Sequence, residues 1–200
     1  MNLQEIINYS VGESTRLNDK ALSMKGMSSK KVRNLLNKVV SYPNTKYLEV
    51  GVWNGSTFYS ALYNNEPTYA VAIDNFSEFE GQEKIFLDNI SDIKTKYTFI
   101  NRDCFSVNKD IFEYKFNVYF YDGGHSEEDQ EKALTYYYEC MEDTFLYICD
   151  DYNWERVQRG TKNGIEKCNI NILEEKVILS KGNGDLDGFW NGIYIGILQK

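Results

Sequence analysis

The residues that could do chemistry are mostly acids, and they recur at one kind of position. Glu49, Asp74, Asp103, Asp122 and the pair Asp150-Asp151 each stand at or near the end of a short apolar run. One acid at such a place is ordinary turn chemistry. Five runs ending this way mean more if the runs are parallel strands, because their carboxyl ends then converge on one crevice. Carboxylates gathered there repel one another unless a cation or hydrogen-bond donors enter. A ligand carrying a positive charge and hydroxyl groups would serve, and so would a divalent metal. His125, the only histidine, closes the segment Asp122-Gly123-Gly124-His125. Imidazole titrates near neutrality, so it could take a proton from a substrate. The helix start just after it would favour the neutral form that a base needs. A lone histidine beside a helix is as readily structural, and both roles stay open here.

A second pattern sits at the first of these runs, Tyr47-Leu48-Glu49-Val50-Gly51-Val52-Trp53-Asn54-Gly55-Ser56-Thr57. An apolar run, a glycine turn and a helix start are the layout that holds a nucleotide-like ligand at the edge of a parallel sheet. Glycine lets the backbone turn sharply and lets a ligand approach with no Cβ in the way. The spacing is not the dinucleotide fingerprint, since Trp53 stands where a second glycine would meet a pyrophosphate. The loop therefore suits a nucleoside ligand without a pyrophosphate better than NAD. A tight connection with no ligand would use the same residues.

The elements that must position these groups alternate. Strands are expected at Tyr47–Val50, Tyr69–Ile73, Tyr97–Ile100, Phe116–Tyr121, Thr144–Cys149, Lys176–Ser180 and Gly192–Leu198. Helices are expected at Lys30–Val40, Glu80–Ile90, Ser126–Met141 and Trp154–Cys168. Val32, Leu35, Leu36 and Val39 follow the spacing of one helix face, with Ser28 or Ser29 as the N-cap. Ser126-Glu127-Glu128-Asp129 resembles a capping box. Alternating strands and helices imply a mostly parallel sheet covered on both faces. No crossover helix separates the last two strands, which implies an antiparallel hairpin. Its glycine-rich loop, with Asp185-Leu186-Asp187 and Trp190-Asn191-Gly192, is either a wall of a substrate pocket or a plain hairpin tip. The organisation expected is a single domain, with a helical cap over 1–42 and an α/β core over 45–200. The cap either covers the sheet edge or closes its Gly26-Met27-Ser28-Ser29 turn over a ligand.

Composition narrows the field. Two hundred residues suffice for one sizeable core. A net charge of −8 argues against a general nucleic-acid binder, which needs a basic face. The four cysteines, Cys104, Cys140, Cys149 and Cys168, form no metal-ligand spacing and read as free thiols of a reducing compartment. The first residues show no signal-peptide pattern, and no apolar run is long enough to span a membrane. A cytoplasmic protein, with no membrane partner, is the expectation.

Glu49-x-Gly51-x-x-x-Gly55-Ser56 resembles motif I of the class I S-adenosylmethionine-dependent methyltransferases. Asp122-Gly123-Gly124-His125-Ser126 and Ile148-Cys149-Asp150-Asp151-Tyr152 are similar to the Asp-Gly-x-His and Asp-Asp-Tyr segments of the sugar- and macrolide-type O-methyltransferases. The likeness runs over about residues 20 to 198, in the right order. It implies a Rossmann-like three-layer α/β sandwich with a seven-stranded, mostly parallel sheet and a C-terminal antiparallel hairpin. It implies S-adenosyl-L-methionine as cofactor, held by Glu49, Gly51, Gly55, Ser56, Asp74, Asp103, Cys104, Phe105 and Asp122. Glu49 would help hold the ammonium group, Asp74 the ribose hydroxyls and Asp103 the adenine amino group. Cys104 and Phe105 would line the adenine pocket. In the metal-dependent members, acids at the ends of strands four and five bind Mg²⁺, which places Asp122, Asp150 and Asp151 as ligands. Otherwise Asp122 touches cofactor only and Asp151 caps the next helix. His125 and Asp122 are the catalytic candidates, and a small hydroxylated molecule such as a sugar is the expected acceptor. A homo-oligomer would fit, because a second subunit could complete the acceptor pocket. The competing readings are an NAD-dependent oxidoreductase and a cofactor-binding partner subunit without catalysis.

Overall fold

The computed structural model describes residues 1–78 and 82–200. Three helices come first: α1 (Leu3–Val11), α2 (Asp19–Ser23) and α3 (Lys30–Val40). The alternating part follows as β1 (Lys46–Val50), α4 (Ser56–Leu62), β2 (Tyr69–Asp74), α5 (Gln82–Ile90), β3 (Thr98–Asn101), β4 (Phe116–Tyr121), α6 (Glu127–Tyr137), β5 (Met141–Cys149), α7 (Glu155–Lys167), β6 (Asn171–Ile178) and β7 (Ile193–Gln199). Among the described residues the seven strands form one sheet in the order β3-β2-β1-β4-β5-β7-β6. β1 to β5 are parallel, and β7 runs antiparallel between β5 and β6. The chain builds outward from β1 to β3, then returns to lay β4 on the other side of β1. The carboxyl ends of β1 and β4 thus flank the switch point, where such sheets open a crevice.

Two apolar layers sandwich the sheet. On one face α1, α3, α4 and α5 bury Leu3, Ile6, Val32, Leu36, Phe58 and Phe86 against Val118, Phe120, Ile148 and Ile195. On the other, α6 and α7 bury Ala133, Leu134, Val157 and Ile165 against Leu48, Val71 and a cluster of tyrosines. The two sides of a strand alternate, so central strands buried on both faces read as continuous apolar runs. The second face accounts for much of the tyrosine content. Tyr119 donates to Ala133 O at 3.1 Å, Tyr121 to Gly124 O at 3.3 Å and Tyr137 to Cys104 O at 2.5 Å. Each ring fills the core while its hydroxyl pins a helix or a loop after a strand.

Local signals set the helix starts. Ser29 caps α3 by accepting from Val32 N at 3.3 Å, and Ser126 caps α6 by accepting from Asp129 N at 3.0 Å. Asp129 turns its carboxylate to the Ser126 hydroxyl at 2.6 Å rather than to the backbone, being one methylene short of glutamate. Several expected bounds shift. The expected α5 start at Glu80 lies outside the described residues. Two short 3₁₀ turns, Cys104–Ser106 and Lys109–Ile111, carry the chain from β3 toward β4, where no helix was expected. A 3₁₀ turn at Tyr138–Cys140 ends α6 and lets β5 begin at Met141 instead of Thr144. β6 begins at Asn171 rather than Lys176, because an edge strand exposed on both faces shows no apolar alternation. No helix among the described residues is long and apolar enough to cross a membrane.

Candidate active site

A cavity of about 460 Å³ opens at the carboxyl ends of the parallel strands. Gly51, Ser56, Asp74, Asp103, Cys104, Phe105, Asp122, His125 and Asp151 all line it; Glu49, Gly55 and Asp150 do not. Met27 and Ser28, from the turn before α3, add to one wall, and Trp154, Trp190 and Asn191 to another.

The glycine loop is shaped by the protein itself. Gly51 has φ +87°, and a Cβ there would lie 1.9 Å from the main-chain oxygen of Asp122. Glycine at this point lets β1 and β4 end side by side; room for a ligand is not what demands it. Gly55, at φ +85°, packs toward Phe86 and Ile90, away from the cavity. The loop then delivers Trp53 N to Asp74 Oδ2 at 2.8 Å, while Phe76 N meets Oδ1 at 2.7 Å. Both carboxylate oxygens of Asp74 are thus fixed by backbone donors and keep lone pairs for hydroxyl donors of a ligand. Asp103 is fixed in the same way, its Oδ1 accepting from Phe105 N at 3.0 Å. Beside it burial pushes the Cys104 thiol up to about 12, which makes it a neutral wall residue and not a nucleophile. The Phe105 ring stands edge-on to Tyr136, with centroids 5.8 Å apart.

Glu49 departs from its expected place. It is fully buried, with Tyr47 Oη donating to Oε2 and Thr57 Oγ1 to Oε1, both at 2.5 Å. Thr57 lies between it and the cavity wall. Burial pushes its carboxyl up to about 8 against the pull of the two hydroxyls. The side chain is a neutral tie between β1 and α4 and does not line the cavity.

The other side of the cavity holds Asp122, His125 and Asp151, with one ligand-type atom from each within 4.8 Å of the others. His125 Nε2 lies 2.5 Å from Asp151 Oδ2 and 3.9 Å from Asp122 Oδ1. Nε2 makes no well-directed hydrogen bond among the described residues, so the three atoms converge on a point more than they pair. Asp151 takes φ +58° at the end of β5, and Asn191 Nδ2 donates to its Oδ1. That contact fixes the carboxylate from the β6–β7 loop. Its backbone oxygen accepts from Trp154 N at 3.1 Å, while the Asp151 side chain turns to His125 and does not cap α7. The Trp154 ring meets the His125 imidazole edge-on at 5.1 Å.

Charge sets the protonation of this cluster. Asp122 is partly buried in the cavity wall, and desolvation there pushes its carboxyl up to about 7, although His125 pulls it back. Burial works against a charged His125, but Asp122 and Asp151 outweigh it and push the imidazole up to about 10. The two carboxylates decide this and override the helix N-terminus, which was expected to favour a neutral ring. Asp150 is outside the cavity lining. It is buried, its Oδ1 has no partner among the described residues, and burial followed by the charges of Asp122 and Asp151 holds it well above the usual carboxylate range. Among the described residues His125, in place of the expected Asp150, is the third donor of the cluster. The roles of Asn191 in fixing Asp151 and of Ser28 in the wall had no sequence pattern to announce them.

No family model matches this chain, and no curated protein matches it by sequence. Solved structures do match in three dimensions. The O-methyltransferase TomG from Streptomyces achromogenes, in complex with SAM, superposes with a TM-score of 0.66 at 11% identity, covering 100% of both chains. SAH-bound methyltransferase PaMTH1 from Podospora anserina gives 0.64 at 12% identity, covering 99% of this chain and 95% of its own. The chain has the fold of these methyltransferases. It spans only about half of some other matches, including 51% of TrmN from Thermus thermophilus, at a TM-score of 0.61, 12% identity and 90% coverage of this chain.

Proposed function

We propose that this chain is an S-adenosyl-L-methionine-dependent methyltransferase acting on a hydroxyl of a small molecule. The observation that carries the reading is Asp74, whose two oxygens are held by backbone N–H groups and turned to the cavity. A carboxylate so placed at the end of β2 accepts the two vicinal hydroxyls of a ribose. Phe105 and Asp103, farther along the same wall, offer an aromatic face and an acceptor for an adenine. The residues of the cavity fit a nucleoside, and the opposite wall fits a cation.

The cofactor supplies a methyl group on a sulfonium sulfur, which leaves as a neutral thioether. The protein's part is alignment and proton transfer. Trp154, Trp190 and Asn191 stand where an acceptor would enter beside Asp122, His125 and Asp151. As the hydroxyl oxygen bonds to carbon, its proton passes to this cluster. At neutral pH His125 is protonated between its carboxylates, so the free base is a carboxylate, with His125 balancing its charge. Asp122, Asp151 and His125 Nε2 would also hold a divalent ion, whose chemistry there is to lower the pKa of the acceptor hydroxyl. To bind it, His125 must give up its Nε2 proton. Two oxygens and one nitrogen suit Mn²⁺ at least as well as the Mg²⁺ expected from an all-carboxylate set.

Calorimetric titration with S-adenosylhomocysteine tests the reading. Micromolar binding that falls about 100-fold or more in Asp74→Ala is expected, since two charge-assisted hydrogen bonds are lost. Binding of NAD in preference to S-adenosylhomocysteine would overturn it. Titration of Mn²⁺ and Mg²⁺ alone, with Asp151→Asn as the control, tests the ion site.

A further inference from the structure

Arg33 on α3 is buried to 4% exposure, yet no carboxylate pairs with it among the described residues. All its partners are neutral oxygens. Nε donates to Ser28 Oγ at 2.9 Å, Nη1 to the carbonyls of Ala21 at 2.7 Å and Leu22 at 3.2 Å, and Nη2 to the Ser28 carbonyl at 3.4 Å. A guanidinium stays charged, and a buried charge without a counter-ion is expensive. Five N–H donors facing four acceptors also leave one proton of Nη2 unspent.

Between Arg33 and the cavity stands Ser28. Ser28 and Ser56 both line the cavity, their hydroxyls 3.2 Å apart. Because Ser28 Oγ accepts from Arg33, its own proton, or that of Ser56, is left for an acceptor in the cavity once the two hydroxyls share one hydrogen bond. Gly26 packs directly against these groups, where no side chain would fit. A Cβ there would lie 1.9 Å from Ser56 Oγ and 3.1 Å from Arg33 Nη2. Elsewhere the cavity wall is acidic, with Asp74, Asp103, Asp122 and Asp151. The cations of the lining itself stand beside acids, Arg102 exposed next to Asp103 and His125 between Asp122 and Asp151. A negatively charged end of a ligand is therefore repelled from most of the cavity and welcome at the Ser28–Ser56 corner.

We propose that Ser28 and Ser56, backed by the buried guanidinium of Arg33, form an anion subsite that receives a carboxylate of the bound ligand. Resting on the methyltransferase reading, that carboxylate belongs to the amino-acid end of the cofactor. Ser28 and Ser56 are the contacting groups. Arg33 is a positioning residue, acting through the Ser28 hydroxyl and supplying the missing counter-charge.

The test compares two ligands that differ at that end. S-adenosylhomocysteine carries the amino-acid carboxylate, and 5′-methylthioadenosine lacks it. Both are titrated calorimetrically into wild type, Ser28→Ala, Arg33→Gln, Arg33→Lys and Arg102→Ala. Ser28→Ala and Arg33→Gln should lose about 10-fold or more in affinity for the first ligand and less than about 3-fold for the second, with partial recovery in Arg33→Lys. Ser28→Ala keeps the buried arginine, so it reports even if Arg33→Gln fails to fold. Equal losses for both ligands, no loss for either, or carboxylate selectivity that disappears in Arg102→Ala alone would overturn the subsite. Wild type that binds neither ligand would instead overturn the cofactor assignment.

Discussion

The two halves of the sheet's carboxyl edge are built from the same residue type and behave differently. On the β1–β3 side each acid already has its donors: Glu49 has two hydroxyls, Asp74 two backbone N–H groups and Asp103 one. On the β4–β5 side Asp122 and Asp151 crowd around one imidazole with Asp150 buried behind them, and Asp150 Oδ1 and His125 Nε2 lack directed partners among the described residues. A satisfied carboxylate has a fixed direction and can read a ligand's hydroxyls. A crowded one holds its charge only by sharing a proton or a cation. The first half is thus suited to recognition and the second to proton chemistry. The difference comes from what surrounds each acid.

The largest effect should come from the crowded half. Asp151→Asn keeps the Asn191 contact in outline but removes the charge opposite His125. Methyl transfer, followed in a single turnover once an acceptor is known, should fall about 10²- to 10⁴-fold. S-adenosylhomocysteine affinity should change less than about 3-fold. Loss of binding in place of turnover would erase the division between the halves.

A smaller effect sharpens the satisfied half. The Glu49 carboxyl titrates near 8 in the folded chain against a reference value of 4.5. Between these pH values the folded state holds a proton that the unfolded state has released, so stability falls as pH rises through the window. The slope is up to about 1.4 kcal/mol per pH unit, and it ends above pH 8. Glu49→Gln, an uncharged isostere, should remove this part of the slope in urea denaturation between pH 5.5 and 7.5 (about the middle of the window). An unchanged slope would mean that Glu49 is ionised and available to a ligand after all.

The smallest effect concerns how His125 is held. Ser126→Ala removes the cap of α6 immediately after it and should cost about 1 kcal/mol, or about 2–4 °C in melting temperature. A much larger loss would show that the turn carrying His125 depends on this cap more than on Tyr121 and Gln130, which both bond Gly124 O.

The fold was legible because its signals are local. Phe116–Tyr121 is an apolar run buried on both faces, and Ser126 with Asp129 is a helix start that needs no distant partner. The β3–β4 connection and β6 were less legible. The first runs through two three-residue 3₁₀ turns, too short to show a helical period, and the second, at an exposed edge, has no buried face to impose alternation. Among site residues, Asp74 could be placed from its position after a strand, while Glu49 and Asp150 could not, because each turns on which side of the backbone a neighbour lies.

What the sequence by itself determined is the set of strands, their direction and the gathering of acids at one edge, since these follow from periodicity and from the right-handed parallel connections of such chains. Only the tertiary structure decided which acids meet solvent, which share a proton and which are sealed. Those outcomes depend on contacts between residues far apart in the chain. Asn191 reaches Asp151 across forty positions. Thr57 closes over Glu49, and Arg33 lies buried behind Ser28 with no acid of its own. The state of a carboxylate is set by its neighbours' charges and by its distance from water, and neither is written in local spacing.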